Sequence, residues 1–359
     1  MKRLAAIIVV LLTLVIFVGC SKADTVKADE VEKENTPIEE QEVEKKVEAE
    51  VPVIKEEIDL KAIQANEAGE IMVLMYHHIK EPEAEWSRTP EGFRRDLENL
   101  YEKGFRPISL NDYVAGNITT EAGFTPVVLT FDDGNQNNFN MIQNSSGEWV
   151  IDPDSAVGIL VDFNEKHPDF PLKATFYING GTPFGQKEWV QHKLNFIVEK
   201  GMEIGNHTNT HIDFTQASGE KMQEELGKLK ELVSKHVANY EVNTLALPFG
   251  SKPKNQELRR YLVEGSYGAI SYKHVAILEV GWDPYRSPFH KDFDFTRIRR
   301  VRASETKVDG VGMYDWIKAF ESGKRVRYIS DGDPDTISLP KKYQEQIKLP
   351  SDKTLRTYH

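Results

Sequence analysis

The sequence predicts an α/β fold, a single closed or nearly closed β/α barrel, and three observations carry that expectation. Apolar runs of buried-strand type alternate with helical patterns about seven times from Ile71 onward. That alternation implies a parallel sheet with right-handed crossovers. The folded part is also long enough for one barrel without requiring two domains.

The elements follow in order. Ile71-Met72-Val73-Leu74-Met75 is a continuous apolar run. Thr89-Pro90 has the form of a helix N-cap with proline at the first helical position, and Phe93, Leu97 and Leu100 follow at helix spacing up to Gly104. Pro126 to Phe131 is a second buried strand and ends in Asp132-Asp133-Gly134. Further strands are expected over residues 174–178, 202–204, 244–247 and 275–280. Helices are expected over 154–166, 188–200, 219–237 and 255–264. The stretch 140–153, with Asn144-Ser145-Ser146-Gly147, reads as an inserted surface loop.

The N-terminal region differs from the rest. Lys2 and Arg3 precede an apolar run from Leu4 to Val18, too short for a confident membrane span, as in a bacterial export signal over residues 1–19. It closes on Phe17-Val18-Gly19-Cys20, which resembles the lipobox of lipoprotein precursors, and so implies lipidation of Cys20 and an extracytoplasmic, membrane-anchored protein. Residues 20–66 form an acidic stretch expected to be an extended tether, since residues 21–70 alone carry a balance of −9 of the total −12. The folded domain is expected over 67–359. Its mild residual charge excludes a strongly basic nucleic-acid surface. Cys20 is the only cysteine, which excludes disulfides, Cys-rich zinc sites and a cysteine nucleophile. The sequence leaves the oligomeric state open, with a monomer expected.

Two clusters carry the chemistry. Asp132 and Asp133 stand together at the C-terminal end of a buried strand, where α/β architectures place active sites. Neighbouring carboxylates there repel and need a cation or a shared proton; an Asp-Asp-Gly turn that merely ends the strand is the other possibility. Gly205-Asn206-His207-Thr208-Asn209-Thr210-His211 places two histidines four apart, on a loop leaving the strand 202–204. Joined with one carboxylate they make a two-histidine, one-carboxylate set that leaves coordination positions open.

Thr130 to Gly134 and His207 to His211 resemble the first two motifs of the polysaccharide deacetylases, carbohydrate esterase family four, and Ala246-Leu247-Pro248-Phe249-Gly250 resembles the third. The opening Leu74 to Ile79 is similar to the branch that includes the biofilm poly-N-acetylglucosamine deacetylases. The resemblance spans roughly residues 71–320 and implies a distorted (β/α)7-type barrel. It assigns Asp133, His207 and His211 to a divalent metal, most commonly Zn2+, with Co2+, Ni2+ or Fe2+ accepted by the same donors. Asp132 is then the general base, and the backbone N–H of Phe249 an oxyanion donor. The sugar amine that leaves must be protonated, which suits histidine. The family's C-terminal Leu-x-His motif is missing here, and His77, after Tyr76, matches the position that replaces it in the biofilm branch. His78 points to the other side of an extended strand.

The third motif has Leu247 where the family has arginine, so a cation for Asp132 must come from elsewhere. Arg299 and Arg300 are the candidates, Arg300 preferred. Pro248, Trp282 and Tyr285 are candidate substrate contacts; the two aromatics could equally be packing residues. The implied function is removal of N-acetyl groups from an N-acetylglucosamine-containing polysaccharide of the cell wall or a biofilm. A weakly active carbohydrate-binding lipoprotein and an O-acetyl esterase on xylan-like glycans are the rival readings.

Overall fold

The computed structural model describes residues 58–359. The export signal, Cys20 and the tether up to residue 57 lie outside the described residues. Residues 58–66, read from sequence as the end of the tether, form turns here. Ala65 is buried and Asn66 pairs with Ile329. No described helix is long and apolar enough to cross a membrane.

The central sheet is built from β1 (Glu70–Tyr76), β2 (Phe105–Pro107), β3 (Thr125–Phe131), β4 (Thr175–Ile178), β5 (Glu203–Asn206), β6 (Thr244–Ala246), β7 (Ala276–Leu278), β8 (Tyr285–Arg286) and β9 (Val301–Arg302). Its order is β7-β6-β5-β4-β3-β1-β8, with β9 also on β1 and β2 on β3. All these pairings are parallel except β1 with β8. The curled sheet is drawn together by residues 295–303. Ile277 N–H donates to the Phe295 carbonyl and Glu279 N–H to that of Ile298, on the β7 edge; a few residues on, Val301 pairs with Leu74 of β1. One short segment thus bridges the two edges of a (β/α)7-type barrel.

The helices form for local reasons. Thr89 caps α1 (Pro90–Glu102) by accepting from Gly92 N–H, Ser155 caps α2 (Ala156–Lys166), and Ser218 caps α4 (Gly219–His236), while α3 spans Val190–Glu199. In α4, Met222, Leu226, Leu229 and Val233 recur at helical spacing and are buried. The strands sort their side chains by parity. On β1, Met72, Leu74 and Tyr76 join the core beneath the helices, whereas Ile71 and Val73 join the barrel interior. On β3, Val127, Leu129 and Phe131 face the helices and Val128 faces inward.

Two sequence expectations give way. Residues 255–264 form only a 3-10 turn (Gln256–Arg259) and a single helical turn (Arg260–Val263); the chain then enters a hairpin of Glu264–Tyr267 with Ile270–Lys273. Gly268, at φ 57°, supplies the left-handed turn that a continuing helix could not use. Within 140–153, Met141–Gln143 pairs with Trp149–Ile151, and Asn144 Oδ1 accepts from Ser146 and Glu148 N–H to shape the turn between them.

The start of the domain is fastened to its C-terminal part by Glu67. Its buried carboxyl accepts from Tyr328 Oη at 2.8 Å and from Ser338 N–H at 2.8 Å. Burial, reinforced by Asp331, pushes this carboxyl up to about 8. A folded-state pKa above the ordinary carboxylate value means the fold prefers the protonated form. That stability is complete below about 4.5 and is lost as pH rises through about 8. The melting temperature is therefore expected to fall between pH 6 and pH 9 more steeply for the natural chain than for Glu67→Gln. Parallel curves in calorimetry would show that Glu67 does not titrate in that window.

Candidate active site

The same parity that builds the core aims the catalytic candidates. Continuing β3 by one step places Thr130 and Asp132 inward with Val128. Continuing β1 places His77 inward with Val73 and sends His78 the other way, where its Nδ1 lies 3.1 Å from Asn137 Nδ2. On the bridging segment Ile298 is inward and Val301 faces the helices, so Arg300 falls on the inward side. His77 is braced from behind, because Asn138 Nδ2 donates to its carbonyl at 2.6 Å.

Asp132 and Arg300 form the buried centre of the site, at 2% and 0% exposure. Arg300 Nη1 donates to Asp132 Oδ1 and Nη2 to Oδ2, both at 2.7 Å, a bidentate fork. Nη1 also reaches Thr130 Oγ1, and Nε donates to the Glu279 carbonyl. Burial works to raise the Asp132 pKa, but the charges of Arg300 and His207 outweigh it and hold this carboxyl below the usual range. His77 Nε2 lies 3.9 Å from Asp132 Oδ2. Burial pushes His77 down, partly offset by the negative charge of Asp132 and Asp133.

Asp133 leaves the strand in left-handed backbone, φ 74°, which turns its carboxylate away from its neighbour's. Its Oδ1 lies 3.4 Å from Nε2 of both His207 and His211, and one ligand atom from each of these three residues lies within 4.8 Å of the others. The loop that carries the histidines is held from α4. Glu225 accepts from Thr210 N–H and Oγ1, while Asn179 Nδ2 donates to the carbonyls of His207 and Thr208. His207 Nδ1 donates to the Ala246 carbonyl at 2.8 Å, so a neutral ring keeps the lone pair on Nε2 toward Asp133. A carboxylate and two such imidazoles, oriented from behind, are a donor set that fits a divalent metal. Burial lowers His211, which favours the neutral ligand form.

His77, Asp132, Asp133, His207 and His211 line a cavity of about 310 Å3 together with Trp86, Leu247, Phe249 and Val280, and His78, although on the opposite parity of the strand, reaches its wall as well. Phe249 sits in left-handed backbone at φ 58°, 68% exposed, its ring 4.6 Å from that of His211. Pro248 is buried in the turn before it. Tyr285, a candidate sugar contact from sequence, is packed instead. It is 3% exposed, pairs with Ile71 and donates its hydroxyl to the Asp294 carbonyl, so its ring is committed to the core. Trp282 is exposed but lines a neighbouring space rather than this cavity.

Sequence reasoning missed Trp86, whose ring lies 4.7 Å from His77. The signal was a lone tryptophan in the polar stretch Glu81-Pro82-Glu83-Ala84-Glu85 before α1.

Arg300→Met leaves Asp132 buried without its partner and is expected to cost about 3–5 kcal/mol in urea unfolding. The double variant with Asp132→Leu should recover most of that loss. A double variant no more stable than the single one would assign the loss to packing rather than to an orphaned charge.

The family model for polysaccharide deacetylase matches residues 168–265, a segment that holds β4, β5, both histidines and the Pro248–Gly250 turn. A search of curated proteins finds no match. Among solved structures, the Bacillus anthracis protein BA0330 is 20% identical, with 67% of this chain and 67% of that chain covered and a TM-score of 0.51. BC0361, a polysaccharide deacetylase from Bacillus cereus, is 19% identical at the same coverages, with a TM-score of 0.50. These two likenesses concern the fold, a curled α/β barrel. The family model falls on the segment that carries the paired histidines, and that segment is what this chain has in common with the polysaccharide deacetylases.

Proposed function

We propose that this protein removes N-acetyl groups from an N-acetylglucosamine-containing polysaccharide, in a metal-dependent hydrolysis outside the cell, tethered to the membrane through a lipid on Cys20. The observation that supports it most directly is the convergence of Asp133, His207 and His211 beside the buried Asp132–Arg300 pair on one cavity. The export signal, the lipobox-like Phe17 to Cys20 and the acidic tether support the location.

Asp133, His207 and His211 would hold the ion, with Zn2+ favoured and Co2+, Ni2+ or Fe2+ compatible. Bound there, a divalent ion supplies Lewis-acid polarisation of the acetyl oxygen and of water. Asp132 is the proton acceptor. Arg300 keeps it ionised and fixes both its oxygens, so it meets a water in one orientation without reorganising. The Phe249 N–H is the backbone donor assigned to the oxygen that becomes negative. His77, close to Asp132, carries the proton to the departing amine, and Trp86 packs beside its ring and limits its motion.

Acetate release from N-acetylglucosamine oligomers is expected to fall by at least about 100-fold in Asp132→Asn and to cease on chelation, returning when metal is restored. No release from any N-acetylated glycan by protein with metal bound would overturn this reading. His77→Ala should lower amide hydrolysis by about 100- to 10,000-fold. It should barely affect an aryl acetate, whose phenolate leaves without a proton. Equal losses on both substrates would remove His77 from the role of acid.

A further inference from the structure

A cavity of about 490 Å3 lies at the N-terminal end of the barrel strands, away from the catalytic candidates. Glu70, at the start of β1, pairs with Arg327, which lines this cavity, while His77 follows the end of the same strand. The two sites are therefore about 20 Å apart along β1. Arg327 is seated by the beginnings of two strands. Its Nη2 donates to the carbonyls of Lys103 at 2.7 Å and Gly104 at 3.1 Å, just before β2, and its Nε to Oγ1 of Thr125, the first residue of β3. The guanidinium lies 4.2 Å over the Phe105 ring. Its Nη1 makes no hydrogen bond among the described residues.

The charges around this cavity do not balance. Glu321 is the one acid among the lining residues, and it is paired with Lys103 at 2.6 Å rather than with Arg327. Burial without a close counter-ion pushes Arg327 down to about 10, against the pull of the Glu321 charge. Lys342 adds a second cation that has no carboxylate partner among the described residues, its Nζ 4.8 Å over the Tyr343 ring. Two unmatched cations at one cavity are conspicuous in a chain of net charge −12. Asn66, 7% exposed, lines the same space, and its Oδ1 has no hydrogen-bond partner. An unpaired buried polar atom and a desolvated arginine without an anion both cost free energy, and a ligand that supplies the missing partners recovers it.

Charge and shape narrow the ligand. Two cations match a phosphate ester, which carries nearly two negative charges at neutral pH, better than they match a single carboxylate. Arginine supplies the planar fork and lysine the point charge that phosphate oxygens accept. Phe320, Tyr343 and Tyr358 make the remaining wall partly apolar, with Tyr358 fixed by donating its hydroxyl to the Ala65 carbonyl at 2.9 Å. The volume is in the range of small-molecule pockets and larger than a bare phosphate fills. We infer that this cavity binds a phosphate ester of a sugar or polyol, its phosphate between Arg327 and Lys342 and its hydroxyl-bearing body against Asn66 and the tyrosines. This is a binding site separate from the proposed deacetylase chemistry, and its test needs no turnover.

The test is a calorimetric titration of the whole chain with glucose 6-phosphate, in the presence of chelator so that no metal-bound anion contributes. A Kd of about 1 mM or tighter is expected, with glucose binding at least about 10-fold more weakly. Lys342 is exposed on a surface turn, so Lys342→Glu should leave the unfolding temperature unchanged while weakening the ester at least about 10-fold. Arg327→Gln should weaken it by at least as much. Arg327 also ties the strand beginnings together, so if Arg327→Gln does not fold, Lys342→Glu alone decides. Ester affinity unaffected by Lys342→Glu, or no greater than that of glucose, overturns the site. Glucuronate bound as tightly as glucose 6-phosphate overturns the assignment to phosphate.

Discussion

The arrangement of the site depends on one buried ion pair. Arg300 and Asp132 are almost wholly removed from water, and neither charge would be tolerable there alone. The bidentate fork resolves this by giving each Asp132 oxygen a donor in fixed geometry. Arg300 sits on the same segment that bridges the β7 edge to β1. The pairing that draws the barrel together therefore also delivers the cation that holds the proposed base ionised. Structural closure and the electrostatics of the site share one short stretch of chain.

The two aspartates are adjacent yet have different surroundings. Strand parity sends Asp132 inward to Arg300, while left-handed backbone at Asp133 swings its carboxylate toward the two histidines. Repulsion between neighbouring anions is relieved by separate partners rather than by a shared proton. The strain of a positive φ at a non-glycine residue is held by the packed frame around it: β3 behind, and the histidine loop tied to Glu225 of α4. Trp86 and Phe249 stand beside this polar floor and give the cavity an aromatic edge.

Much of this was legible in the primary order. The alternating strands and helices gave the barrel class. The Asp132-Asp133 pair and His207 with His211 stood at strand ends, where the structure brings the ligand atoms of Asp133, His207 and His211 within 4.8 Å. The missing arginine before Pro248 turned attention to Arg299 and Arg300, and parity on the segment from Ile298 distinguishes them: Arg300 faces Asp132, whereas Arg299 pairs with Asp283 near the surface. Tyr285 was ambiguous because an aromatic beside a glycine and a proline reads alike as a sugar platform or as core. Trp86 was missed because a lone aromatic in a polar loop has no periodic pattern. Residues 255–264 look helical by local pattern, but the chain that follows forms a hairpin packed against α4, a tertiary contact that local propensity does not encode.

Sequence alone determined which chemical groups are present, the alternation of strands and helices that sets the fold class, and the side of each strand that a residue faces, since those follow from composition and from a backbone period of two. Only the tertiary structure decided which side chains from distant parts of the chain meet: Arg300 on Asp132, Trp86 beside His77, and Trp282 across a separate groove. Those meetings depend on how the sheet curls and where its edges are joined. That is a property of strands packed against one another, and no local stretch of sequence carries it.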